Sequence, residues 1–293
     1  MKMSIRFASL LCLVACTDNQ SGNLGTTKLG DTSHPLTPGS PIADQRAACG
    51  EGALLDSAVH REPYLQQVTE TSAMIGWVTT GATVQHVDIS TPSFESLSSV
   101  DGVLQADSLR RGGEQQMWAT IGGLSARTIE CYTLEADGTT LTEPIGFRTA
   151  PPLDSADPIR FLAFGDSGGG GADQLELRDR MLEYPYDLII HTGDVAYDDG
   201  TIDQFDANVF GVYPELFKHL PFYPAAGNHE YNTLAGAPFR EVFALPGTEK
   251  WYSYDWGRVH FAALDTEADY ATQMAWLDQD LAATDRPWKI VYM

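Results

Sequence analysis

Two kinds of apolar patterning divide the chain. From about His60 to Ala150, apolar positions alternate with polar ones over short stretches: Ala73, Ile75 and Trp77, then Val87 and Ile89, Trp118 and Thr120, Ile129 and Cys131. Gly81, Pro92, Gly102, Gly112-Gly113, Gly122-Gly123 and Asp137-Gly138 separate them. A period of two, broken by turn residues, predicts a small antiparallel sandwich. Beyond Pro151-Pro152 the runs become continuous, at 159–164, 188–190, 222–226, 259–264 and 289–292. Such runs suit strands buried on both faces. Helical spacing lies between them, over 173–183 with Leu175, Leu177, Met181 and Leu182 on one face, over 203–219, and over 274–283. Alternating strands and helices predict an α/β layered domain with crossover helices. The expected fold class is therefore two domains, an all-β sandwich over 60–150 followed by an α/β domain over 157–293. The stretch from Thr17 to about Gly52 is rich in Gly, Ser, Thr, Pro and Asp without apolar periodicity. Residues 17–59 are accordingly expected to form a flexible linker.

The 18 Lys and Arg against 40 Asp and Glu give a formal charge of −22. That excludes broad binding to nucleic acid or to anionic membrane by surface charge. It also repels phosphate, so a phosphate-handling site here needs bound cations to supply local positive charge. At the N-terminus, Lys2 and Arg6 precede an apolar run from Phe7 to Ala15 and then Cys16. This reads as an export signal, too short to span a bilayer as a mature helix. Leu13-Val14-Ala15-Cys16 resembles the bacterial lipobox, which implies a signal peptide over 1–16, a lipidated Cys16 and an exported lipoprotein. Membrane contact is then expected only through that anchor, with the protein facing the periplasm or the cell exterior. Cys49 and Cys131 remain, and the sequence leaves open whether they pair or stay as free buried thiols.

Four short clusters end the apolar runs of the second half: Gly165-Asp166-Ser167-Gly168, Gly193-Asp194-Val195-Ala196-Tyr197, Gly227-Asn228-His229-Glu230 and Leu264-Asp265-Thr266. Asp166 and Asp194 stand 28 residues apart, about one strand-helix-strand unit, and Asn228 follows 34 residues later. Loops after adjacent parallel strands open on one edge of a sheet, so these oxygen donors can converge. A two-metal site needs a carboxylate that bridges ions about 3.5 to 4 Å apart, and Asp194 is the candidate. Tyr197 is placed to add a phenolate, and the His229 imidazole to stabilise a transferring phosphoryl group or protonate a leaving oxygen. A single Gly-Asp at a strand end is more often a turn or helix cap, and Asp265 has that alternative. Gly168 to Gly171 lacks a following Lys-Ser/Thr and reads as a flexible active-site loop. His191, inside an apolar run, reads as a satisfied core residue.

At these residues the sequence resembles the purple acid phosphatases of the calcineurin-like metallophosphoesterase superfamily, whose ordered blocks are GDxG, GDxxY, GNHE, VxxH and GHxH. Arg61 to Thr80, with Pro63-Tyr64-Leu65-Gln66 and Ile75-Gly76-Trp77, is similar to the opening of their fibronectin-III-like N-terminal domain. The resemblance implies a dinuclear centre of Fe(III) with Zn, Fe or Mn that hydrolyses small phosphate monoesters. By it Asp166 is a terminal ligand, Asp194 the bridge, Tyr197 the ferric phenolate, Asn228 a ligand of the divalent ion and His229 the group at the phosphate. Phosphodiesterase or nucleotidase action on the same scaffold, and a non-catalytic surface lipoprotein, are the alternatives. The histidine ligands of the VxxH and GHxH blocks would follow the strand that ends at Met293, so the 293 residues are expected to bind metal weakly and to have little activity. The last strand is expected to present an unprotected sheet edge.

Overall fold

The alternating segment folds as two antiparallel sheets, in a computed structural model that describes residues 39–293 apart from 95, 96 and 111. One sheet has the order β1-β2-β6-β5 and joins β1 (Val59–Gln66), β2 (Ser72–Thr80), β6 (Glu114–Gly122) and β5 (Val103–Leu104). The other has the order β4-β3-β7-β8 and joins β4 (Leu97–Asp101), β3 (Gln85–Ser90), β7 (Ile129–Ala136) and β8 (Thr139–Thr140), with β9 (Ile145–Arg148) also on β7. The predicted alternation turns Ala73, Ile75 and Trp77 into the core, where each is at most 1% exposed. Trp77 donates its indole N–H to Gln85 Oε1 at 2.8 Å, which satisfies a polar atom that burial would otherwise strand. β1 and β2 are also buried on their other face. There Gly76 leaves room for Tyr64 and Trp118, and Tyr64 packs on Phe210 of the α/β part at 4.6 Å between ring centroids.

The expected linker is corrected by a helix, α1 (Pro41–Cys49). Ser40 caps it, with its hydroxyl accepting from Ala43 N, and Pro41 sits at the first helical position, where its missing N–H costs nothing. α1 lies on β9 so closely that a Cβ at Gly146 would stand 2.6 Å from Gln45 O. A disulfide joins Cys49 to Cys131 of β7, resolving the alternative the sequence leaves open. Residues 51 and 54 then form bridges to Ile145 and Thr142. The signal segment through Cys16 and the first part of the tether lie outside the described residues.

In the second half, β10 (Phe161–Phe164), β11 (Leu188–Thr192) and β12 (Phe222–Ala225) form a parallel sheet in that order. α2 (Ala172–Leu182) makes the crossover between the first two. The predicted helix over 203–219 is instead three short pieces, α3 (Ile202–Phe205), a π-turn over Asp206–Phe210 and α4 (Pro214–Phe217). Gly211 and Pro214 break the run, and the extra residue of the π-turn changes the face that each side chain presents. α5 (Asn228–Tyr231) follows β12, a 3-10 turn covers Leu234–Gly236, and α6 (Ala237–Val242) follows. A second sheet begins with β13 (Tyr252–Trp256), a strand absent from the apolar-run reading, which lies antiparallel to β14 (Val259–Ala263). α7 (Tyr270–Ala283) then crosses to β15 (Trp288–Tyr292), which is parallel to β14, stands at the sheet edge and is largely exposed. β13 escapes that reading because Ser253 and Asp255 interrupt it; its tyrosines do the packing. Tyr254 stacks on Tyr223 at 3.7 Å and on Phe261 at 5.1 Å, while the Tyr252 and Tyr292 hydroxyls donate to Pro224 O and Tyr223 O.

Sandwich and α/β part are joined by buried hydrogen bonds. Tyr64 donates to Val242 O (2.7 Å), Gln66 to Phe222 O (2.8 Å) and Tyr132 to Lys218 O (2.9 Å), and Tyr223 donates back to Val68 O (3.1 Å). Each partner is held where water cannot replace it, so each bond is worth about 1 kcal/mol net and costs more to leave unmade.

Candidate metal centre

Asp166, Asp194 and Asn228 lie just beyond the carboxyl ends of β10, β11 and β12, neighbouring parallel strands that deliver them to one edge. Both aspartates have left-handed backbone, with φ of 53° and 55°. Such a conformation costs a side-chain-bearing residue on the order of 1 kcal/mol or more and persists only where the surroundings enforce it. Its result is that two carboxylates point at one phenol. Tyr197 Oη lies 3.1 Å from Asp166 Oδ1 and 3.2 Å from Asp194 Oδ2. The other oxygen of Asp194, Oδ1, accepts the backbone N–H of His229 at 3.2 Å. The His229 ring stands edge-on to Tyr197 at 4.5 Å, its Nδ1 2.5 Å from Asp198 O and its Nε2 4.0 Å from Asp194 Oδ2. A carbonyl only accepts, so Nδ1 carries the proton and Nε2 is left for the site. Asn228 opens α5 on the exposed side of the same edge.

The loops are locked to one another. A Cβ at Gly168 would lie 1.9 Å from Val195 O, and one at Gly227 2.2 Å from Asp194 Oδ1. These glycines therefore serve the contact between loops. Glu230, fully buried, closes the set: Oε1 accepts from Val195 N and Ala196 N, both at 2.9 Å, and Oε2 accepts from Gly227 N at 2.8 Å. Burial, aided by the Asp194 charge and opposed by the three N–H groups, leaves its carboxyl raised to about 7. Sequence reasoning gave Glu230 no role. The available signal was its place at the third position of α5, where a carboxylate reaches back to the N-cap amide.

Other expected residues fall differently. The Gly168 to Gly171 loop, expected to be flexible, is pinned: Gly170 N donates to Gln174 Oε1 and Gln174 Nε2 donates to Asn208 O, each at 2.6 Å. His191 is 1% exposed, and its ring packs edge-on to Phe164 at 4.6 Å and makes one hydrogen bond among the described residues, Nε2 to Ser167 Oγ at 2.9 Å, while Nδ1 has no hydrogen-bond partner among them. It is a core residue as expected, but only half satisfied, and burial lowers it to about 3 and keeps it neutral. Asp265 takes the turn-forming role: it accepts from Glu267 N (2.9 Å) and from the Tyr231 hydroxyl (2.5 Å). Two further groups each bring three potential donors together, His60 with Glu114 and Asp206, and His86 with Asp88 and Glu135. In the first, Arg61 and Arg110 already neutralise Asp206.

The residues at the strand ends fit a hard cation. Two carboxylates and a phenol converge on one point, and oxygen donors suit hard ions. Burial raises the Tyr197 phenol well above its usual value, and the two neighbouring carboxylates raise it further. A cation on the same oxygens reverses the charge effect. Oxygen donors gathered at the ends of adjacent parallel strands are the arrangement a metal-dependent phosphoesterase would use.

Comparison with known proteins agrees. Residues 159–293 match the family model of the calcineurin-like phosphoesterases. The chain is 28% identical over 180 residues to "Probable inactive purple acid phosphatase 27" of Arabidopsis thaliana, with 49% of this chain and 29% of the relative covered. It is 29% identical to the "Nucleotide pyrophosphatase/phosphodiesterase" of Hordeum vulgare over 53% of this chain and 52% of that one. It is 30% identical to "Purple acid phosphatase 23" of Arabidopsis thaliana over 59% and 46%. The chain thus spans about half the length or less of these curated relatives. A solved structure titled "Structure of PhoD" superimposes with a TM-score of 0.58 at 11% identity, covering 82% of this chain and 62% of that one, which shows a shared fold. Through residues 159–293 the chain is similar to the calcineurin-like phosphoesterases, and the curated relatives it matches include purple acid phosphatases.

Proposed function

We propose that the protein hydrolyses small phosphate monoesters at a dinuclear metal centre held by Asp166, Asp194, Tyr197 and Asn228. The observation that carries this reading is the Tyr197 phenol between the Asp166 and Asp194 carboxylates at the ends of adjacent parallel strands. Fe(III) suits the phenolate side, and Zn, Fe or Mn the Asn228 side. Such ions supply positive charge for the phosphate and a water activated at neutral pH. The chain's own groups do the rest. Asp194 turns one oxygen toward Tyr197 and the other toward the Asn228-His229 loop, the geometry of a bridge. His229, its Nδ1 proton held by Asp198 O, turns Nε2 toward the site, where the doubly protonated ring would donate to the phosphate or give its Nε2 proton to the departing oxygen.

The alternative with support is a phosphodiesterase or nucleotide pyrophosphatase, the activity named for the Hordeum vulgare relative. The test is p-nitrophenyl phosphate, bis-p-nitrophenyl phosphate and ATP hydrolysis by the chain before and after metal loading. Metal-dependent turnover of the monoester above both others supports the proposal, and preference for either of the others selects the alternative. No metal-dependent turnover of any, together with no ferric-phenolate absorption, overturns the metal reading and favours a non-catalytic surface protein. We further read the sandwich as the fibronectin-III-like domain of this family, and the protein as exported and anchored at Cys16. The Cys49–Cys131 disulfide supports an oxidising compartment. Recovery of the protein in the cytosolic fraction would sink that placement.

A further inference from the structure

We infer that Asn208 is a positioning residue for the Tyr197 loop and that the sandwich holds it in place through Asp206. The inference rests on the reading of Tyr197 as a metal donor. The chain of contacts begins in the sandwich, where Arg61 of β1 and Arg110 of the β5–β6 connection both reach Asp206, the first residue of the π-turn. Arg61 Nε lies 2.8 Å from Asp206 Oδ1, and Arg110 Nη1 lies 3.0 Å from Oδ2. Both arginine side chains are at most 1% exposed, and Arg61 also lies flat on Phe210, the last residue of the same turn, at 3.8 Å. The turn is therefore clamped at both ends by a neighbouring fold unit. Asn208 is its middle residue. Its Nδ2 donates to Tyr197 O at 3.1 Å and its own carbonyl accepts from Gln174 Nε2, while Gln174 Oε1 holds Gly170 N. One residue thus fixes the loop that carries Tyr197 and, through Gln174, the glycine loop after Asp166.

The two loops meet at close range on the side that Asn208 holds. Tyr197 N donates to Gly168 O at 2.9 Å, and at Gly170 there is no room for a Cβ beside Asn208 Oδ1, which would stand 2.6 Å away. A small rotation of the π-turn therefore moves the phenol relative to both carboxylates. None of these residues is expected to touch substrate, so their effect is on where Tyr197 sits.

Asn208→Asp removes the donor while nearly preserving shape, and Asp206→Asn weakens the clamp without touching the loop. Amide exchange of the metal-free chain is read at Tyr197, whose N–H reports the contact with Gly168. The ferric-phenolate absorption band is read during titration with ferric nitrilotriacetate. Asn208→Asp is expected to speed exchange at Tyr197 at least tenfold, to weaken ferric binding at least tenfold and to shift the band. Asp206→Asn is expected to act in the same direction with a smaller size. Exchange and ferric affinity within twofold of wild type in Asn208→Asp would overturn the inference. Absence of the band in the wild-type chain would overturn the metal reading of Tyr197, and the exchange measurement, which needs no metal, would still decide whether Asn208 holds the loop.

Discussion

Replacing Asp206 by Ala is expected to destabilise the protein by about 3 kcal/mol. Asp206 is the shared counter-ion of two arginines that water does not reach, and breaking a buried pair by removing one partner leaves uncompensated charge, at about 3 to 5 kcal/mol. Partial compensation puts the expectation at the lower end. Arg110 keeps Glu114 at 2.8 Å, and Arg61 keeps Gln116 Oε1 at 2.9 Å and the face of Phe210. The Asp206 carboxyl itself shows the balance: burial raises it, but the charges and hydrogen bonds of Arg61 and Arg110 prevail and hold it below its usual value. A depressed carboxylate contributes stability that is fully present above the unfolded-state value and is lost as pH falls through the folded one. The wild-type advantage over Asp206→Ala should therefore be constant from neutral pH to about pH 5 and shrink below pH 4. Equilibrium urea unfolding, followed by tryptophan fluorescence at several pH values, reads both effects. A loss under about 1 kcal/mol at neutral pH would put the pair among solvent-screened surface bridges and refute the argument from buried charge.

Glu230→Gln should cost about 2 kcal/mol in the same assay, because an NH₂ replaces an acceptor facing Val195 and Ala196 or Gly227; a loss below about 0.5 kcal/mol would mean that the loops do not depend on it. Reducing Cys49–Cys131, which closes a separation of 82 residues, should remove roughly 4 kcal/mol by the chain-entropy argument, and an unchanged urea midpoint under reductant would count against a formed bond. His191 and His219 are both held near 3, the first by burial and the second by burial with Lys218 and Arg46 beside it, with the carbonyl of Gly146 opposing. The unfolded chain then binds more protons, so these residues should lose about 2 kcal/mol of stability each between pH 7.5 and pH 5. His219→Gln should flatten that slope, and an equal slope in the variant would refute the assignment.

The strand ends and the order of the site residues were legible because they depend on local pattern. Apolar runs followed by Gly-Asp or Gly-Asn place Asp166, Asp194 and Asn228 wherever parallel strands sit side by side, and β10, β11 and β12 do so. What was not legible depends on partners distant in sequence. The run 203–219 has helical composition, yet the sandwich arginines and Gly211 divide it around a π-turn. Residues 41–49 read as tether because their helix is stabilised by β9 and by Cys131, not by a strong apolar stripe of its own.

The same distinction governs Glu230 and Asn208. A Glu beside a ligand triplet invites a catalytic reading, and an Asn in a helical run invites none. In the structure Glu230 has every oxygen committed to backbone N–H groups, so it shapes the loops without facing a reactant. Asn208 contributes one amide donor, but it acts on the residue that carries the phenol. The left-handed aspartates explain why such support is needed. Two side chains held at φ near +55° relax once their surroundings loosen, and relaxation at either one separates the three oxygens that the proposed centre brings together. The integrity of the centre therefore depends on packing outside it, and much of that packing is supplied by the sandwich.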